Sequence, residues 1–69
     1  MSDHVYKTVE ITGSSSDGVT PAIDRAVTKA SQTLRGLDWF EVTEIRGHIE
    51  EGTVADYQVT LKLGFRLED

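Results

Sequence analysis

Trp39 is the only tryptophan in the 69-residue chain, and it heads a run that continues Phe40-Glu41-Val42. An indole offers a flat face on which a planar ligand can stack. The same ring also serves as an anchor buried against a second protein surface. Gln58 carries an acceptor and two donors, the set that the polar edge of a heterocycle requires; its plainer role is that of a solvated strand residue. Arg46 and Arg66 present guanidinium forks that grip a phosphate through paired hydrogen bonds, or else pair with some of the chain's many surface carboxylates. Taken together, these residue types suit either a platform for a planar ligand or an anchor against a second subunit.

Groups that turn substrates over are missing from the pattern. His4 and His48 are the only imidazoles, and neither has a serine, cysteine or carboxylate at a recognisable catalytic spacing. His48, Glu50 and Glu51 are three scattered donors rather than a metal-binding motif, so they read as solvated charge around a turn. Gly13 and Gly18 bracket a loop without the Lys-Ser/Thr ending of a phosphate loop, which makes it a plain strand-to-helix connection. Cysteine is absent, and with it disulfides, thiolate zinc sites and thiol catalysis. No enzyme is expected, and no metal.

The elements that must position Trp39 and Gln58 follow from hydrophobic periodicity. Residues 4–12 alternate, with Val5, Val9 and Ile11 on one side and Tyr6, Thr8, Glu10 and Thr12 on the other, which describes a half-buried strand. The loop Gly13-Ser14-Ser15-Ser16-Asp17-Gly18 ends it. Val19, Ile23, Ala26, Val27, Ala30, Leu34 and Leu37 then recur at spacings of three and four, an amphipathic helix running from Asp17 or Pro21 to Arg35. Ser16, Asp17 and Thr20 compete as its N-cap, and Gly36 is expected in the left-handed conformation as its C-cap.

Two long strands follow, joined through Glu50-Glu51-Gly52-Thr53. The last alternates strictly, with Ala55, Tyr57, Val59, Leu61, Leu63, Phe65 and Leu67 on one face. Asp56, Gln58, Thr60, Lys62, Gly64, Arg66 and Glu68 take the other. Such regularity suits the middle of a sheet. In the strand before it, Phe40 and Val42 share one parity while Ile45 and Ile49 share the opposite one, so a β-bulge is expected near Thr43-Glu44. With Phe40 and Val42 toward the helix, Trp39 and Glu41 face away from it, on the side of Gln58. Asp38 then points inward at the strand start or lies outside the regular pleat. The expected fold is α+β, a β-α-β-β unit with the last strand between the first two and antiparallel to both, forming one domain over residues 1–69.

Composition narrows the partners. Twelve acidic against seven basic side chains leave a net charge of −5, the wrong sign for nucleic acid or an anionic membrane surface. No apolar run approaches the roughly 18 residues of a membrane span, and the start MSDHVYK lacks a signal-peptide core, so a cytoplasmic protein is expected. A domain this short buries only about 60% of its unfolded surface and usually needs a staple. Without disulfides or metal, oligomerisation is the staple that remains.

The runs Leu37-Asp38-Trp39-Phe40-Glu41-Val42, Arg46-Gly47-His48-Ile49, Tyr57-Gln58-Val59-Thr60 and Lys62-Leu63-Gly64-Phe65-Arg66-Leu67-Glu68, with Val5-Tyr6-Lys7 and Gly13-Ser14-Ser15 before them, resemble the dodecins. These are small flavin-binding proteins of archaea and bacteria. The resemblance spans essentially the whole chain. It departs in one place, since relatives commonly carry proline before the Asp/Asn-Gly pair whereas Pro21 follows it here. It implies a sheet wrapped around the helix and twelve subunits closed into a hollow shell. It further implies flavin, as FMN or riboflavin, in pairs at subunit interfaces. Each isoalloxazine would stack on Trp39, with Gln58 on its polar edge, Asp38 in the same ligand-binding stretch, and Arg46 and Arg66 near the ribityl phosphate. Some relatives bind coenzyme A, for which Tyr6, Lys7 and Lys29 are the matching candidates. The implied role is non-enzymatic storage and photoprotective quenching of flavin, the indole acting as electron donor to the excited ring. The alternative is a structural oligomer or a coenzyme A scaffold with no physiological flavin role.

Overall fold

The structure, a computed structural model, describes residues 3–67. The domain expected over 1–69 and the alternation ending at Glu68 reach past those bounds, as do Met1 and Ser2 of the start segment. Four elements follow in chain order: β1 (Tyr6–Ser15), α1 (Val19–Ser31), β2 (Leu37–Glu50) and β3 (Thr53–Arg66). The sheet order is β1-β3-β2, and β3 is antiparallel to both neighbours. The strictly alternating strand is therefore the central one, as its pattern requires. Val59, Leu61 and Leu63 are its fully buried side chains, all on the helix side.

The helix differs from expectation at both ends. It starts at Val19 with Gly18 in the N-cap position, and no side chain caps it. Ser15, not Ser16, Asp17 or Thr20, does the local hydrogen bonding, its hydroxyl accepting from the Asp17 N–H at 2.9 Å. The helix ends at Ser31, four residues before Arg35. The amides of Gln32, Thr33 and Leu34 all turn back onto the Lys29 and Ala30 carbonyls, closing the last turn before Gly36 is reached. Gly36 does adopt positive φ (74°), but it serves the entry to β2, and its carbonyl accepts from the Arg66 N–H at 3.2 Å.

The helical stripe is also centred differently. Its buried residues are Ala22, Ala26 and Ala30, while Val19, Ile23, Val27 and Leu34 flank them half-buried. Alanine spaced by four lets the helix axis approach the sheet closely. Gly13 on β1 completes that approach, because a Cβ there would run into the Ala22 carbonyl oxygen and lie 2.8 Å from the Ala26 Cβ. The helix packs mainly on β1, less on β3 and scarcely on β2. Consequently the helix-side apolar residues of the β2–β3 arm stay open: Phe40, Ile45, Ile49 and Val54 are all at least half exposed. The molecule is long and thin, 54 × 20 × 14 Å.

The β2–β3 hairpin turns on Glu51 and Gly52, both with positive φ (50° and 78°), the two-residue turn whose twist matches flanking strands. The pairing slips at Val42/Glu44, where the parity switch places a bulge, and also at Leu37/Trp39 and His48/Ile49. Thr43, extruded at the middle slip, donates its hydroxyl to the Thr60 carbonyl at 3.2 Å, so the bulge carries its own hydrogen bond. His48 lies within β2 opposite Asp56 rather than in a turn. Among the described residues no helix is long and apolar enough to cross a membrane, and no group of acidic and histidine side chains is arranged to hold a metal ion.

Candidate functional site

Register decides which side chains share the face turned away from the helix. On β3 these are Asp56, Gln58, Thr60, Lys62, Gly64 and Arg66. Opposite them, β1 contributes Tyr6, Thr8, Glu10, Thr12 and Ser14, and β2 contributes Trp39, Glu41, Glu44, Arg46 and His48. Trp39 and Glu41 reach this face directly, and the slip at Thr43 returns Glu44 and Arg46 to it. Trp39 thus lies on the polar side of the sheet with 41% of its surface open.

The indole lies on the backbone of β3. Trp39 pairs with Gly64, and a Cβ built on Gly64 would clash with the ring atoms at the fused bond of the indole. Gly64 is buried in consequence, although Lys62 and Arg66, its neighbours on the same face, are exposed. Tyr6 borders the other side, its ring centroid 6.3 Å from that of Trp39 at an interplanar angle of 57°. His4 meets Tyr6 edge-on at 6.5 Å, and its Nε2 accepts from the Arg66 guanidinium at 3.3 Å. An aromatic row with one cation beside it therefore occupies one end of the face. Asp38 has no pairing partner, being the residue extruded at the Leu37/Trp39 slip, so the second of the two placements expected for it holds. It is exposed and shares a shallow apolar cleft with Val27, Leu37, Trp39, Phe40 and Leu63.

Gln58 and Arg46 sit elsewhere on the same face. They are cross-strand partners and line a polar groove with Glu10, Thr12, Thr43, Glu44 and Thr60. Thr12 and Thr60 share a hydroxyl–hydroxyl bond at 2.9 Å on its floor. Arg46 approaches Glu44 at 3.6 Å, with both side chains mostly in solvent, a pairing weak enough to leave the guanidinium available. From Gly64 to Gln58 is six residues of β3, roughly 20 Å at about 3.3 Å per residue. The adjacency of Trp39 and Gln58 expected from their shared face is therefore not realised within one chain. Arg66 lies at the tryptophan end and Arg46 at the glutamine end.

The residues matched to coenzyme A do not converge either. Tyr6 faces the aromatic row, and Lys7, the next strand residue, turns to the helix side opposite Phe65. Lys29 is on the helix and borders another groove with Thr12, Ser14 and Arg25. Two site residues are not evident from the sequence pattern: Gly64, which seats the indole, and Tyr6 as a neighbour of Trp39. For Gly64 the signal is its residue type, since a glycine inside an otherwise regular strand marks a close approach.

Known proteins match this chain along nearly its full length. The family model described as Dodecin covers residues 5–68. The dodecin of Thermus thermophilus is 57% identical over 65 residues, 94% of either chain. The structure of dodecin from Streptomyces coelicolor superimposes with a TM-score of 0.92 at 64% identity, covering 100% of this chain and 99% of that one. Dodecin from Streptomyces davaonensis gives 0.91 at 50% identity, with 99% and 100% covered.

Proposed function

This chain belongs to the dodecin family, and from that premise we propose that it binds flavin without chemical turnover, in a closed homododecamer, and protects the bound ring by quenching it. The observation that carries the reading is the indole of Trp39, laid flat on β3 with its remaining face open on the polar side of the sheet. A planar isoalloxazine stacked there gains about 0.5–1.5 kcal/mol beyond its area burial. The indole in van der Waals contact is also the electron donor that deactivates the excited ring.

The site takes more than one copy of the chain. Trp39 and Gln58 stand too far apart along β3 for one tricyclic ring to meet both. A stacking face from one subunit is completed by the amide of Gln58 from another, which places the ligand at a subunit interface. The same distribution puts a cation at each end, Arg66 beside Trp39 and Arg46 beside Gln58. Either is able to hold the phosphate of FMN against the net negative charge of the protein. Asp38, extruded next to Trp39 in the chain, is the remaining residue proposed to contact the ligand.

Self-association has its own support. The open row Phe40, Ile45, Ile49 and Val54 is an apolar face larger than scattered surface residues make, and a short staple-free chain is marginal alone. The proposed protein is cytoplasmic. Coenzyme A is the weaker part of the reading, because Tyr6, Lys7 and Lys29 do not share one surface in the subunit. Protein purified from its own host should be yellow, and the chromophore released on denaturation should be identified as riboflavin or FMN. Colourless protein that takes up neither flavin on incubation would leave the structural oligomer as the better reading.

A further inference from the structure

Gly64 is the one glycine of the central strand, two residues before its end at Arg66. Glycine there weakens a strand, through lost entropy and absent packing, so something must need it. The backbone does not: the glycines with positive φ are Gly18, Gly36 and Gly52, and Gly64 is not among them. It pairs regularly with Thr8 on one side; on the other it pairs with Trp39 at the edge of the Leu37/Trp39 slip, where the extra residue, Asp38, belongs to β2 and not to β3. What is special is the space above it, where a Cβ would overlap three atoms of the Trp39 indole.

We infer that Gly64 is a positioning residue for the stacking site: it is the seat that holds the indole flat on the sheet and leaves a single face for a planar ligand. The inference rests on the flavin reading only for what the ligand is. A side chain at position 64 must displace either the β3 backbone or the ring. The backbone is tied into the sheet on both edges, whereas the indole is 41% exposed and turns about two side-chain bonds. The ring therefore lifts. Tyr6 stands on its flank, with centroids 6.3 Å apart, so the lifted ring has no equivalent resting place on that side. A tilted indole offers an edge where the flat one offered a plane.

Gly64→Ala tests the seat, with riboflavin as the probe because it has no phosphate for Arg46 or Arg66 to hold. Affinity should fall by roughly 5- to 150-fold, the range typical of losing an aromatic stacking partner. The same substitution in a Trp39→Ala background should change affinity by less than about twofold, because the two positions act as one unit. An equal loss in both backgrounds would mean that Gly64→Ala damages the sheet generally, and would overturn the inference. A second readout needs no flavin and no variant at position 64. The Gly64 Hα resonance of the flavin-free protein should lie strongly upfield under the indole ring current and return to ordinary values in Trp39→Ala. An unshifted resonance in the unmodified protein would overturn the seat even if flavin binds. If the resonance is shifted and riboflavin does not bind, the seat stands and the flavin reading fails.

Discussion

Ile49→Asp should break the assembly while touching nothing in the subunit core. Ile49 is 68% exposed on the arm beyond the helix and belongs to no buried cluster of the chain. Complete burial of an isoleucine is worth about 1.5–3 kcal/mol, so covering its open two-thirds contributes about 1–2 kcal/mol per chain. Phe40, Ile45 and Val54, open by 50, 57 and 56%, bring the row to about 3–7 kcal/mol per chain. That is comparable to the whole stability of a small domain, which is why a solitary subunit is not expected to persist. An aspartate in the row forfeits its own share and adds the cost of burying an unpaired carboxylate, several kcal/mol in each subunit. Light scattering after size exclusion should show a dodecamer for the unmodified protein at low micromolar concentration. The variant should give smaller species with diminished circular dichroism. A variant with the same mass and melting temperature as its parent, or a parent that is a stable folded monomer, would refute the argument.

Gly13→Ala should destabilise the subunit by about 1–3 kcal/mol, the range for overpacking, because its Cβ meets the Ala22 carbonyl and Ala26; thermal denaturation reads the shift. Arg46→Ala and Arg66→Ala should each weaken FMN more than riboflavin, and equal losses with the oligomer intact would count against a phosphate role. Added salt should strengthen assembly, since twelve chains at −5 each would place −60 on the proposed particle; a melting temperature that falls as sodium chloride rises would contradict this.

Much of the fold was legible because β3 alternates without a fault from Asp56 onward, Ala55 alone dropping out of the expected pattern where the His48/Ile49 slip skips it, and because the Phe40/Val42–Ile45/Ile49 parity switch has one structural solution. The strand order, the bulge at Thr43 and the outward face of Trp39 all follow from those two patterns. The helix boundaries were harder. A stripe drawn through its largest apolar residues overlooks Ala22, which is fully buried because it is small enough to touch the sheet. Gly36 drew the helix end four residues too far, since a left-handed glycine serves a strand entry as well as a helix cap. In the site, period-two alternation reports which face a residue occupies but not how far along the strand it lies. Gln58 and Trp39 therefore read as neighbours although six residues of β3 separate their positions. Tyr6 lies diagonally across β3 from Trp39, a relation fixed only once both registers are known.

Whether a flavin lies on the Trp39 indole is read from a titration of riboflavin into flavin-free protein, followed by flavin fluorescence. Binding should saturate, with the bound flavin dark. In Trp39→Ala the affinity should be lower by about 1–3 kcal/mol, and whatever flavin still binds should recover its fluorescence. Unchanged affinity with equally dark bound flavin in that variant, or no binding to the unmodified protein, would contradict stacking on Trp39.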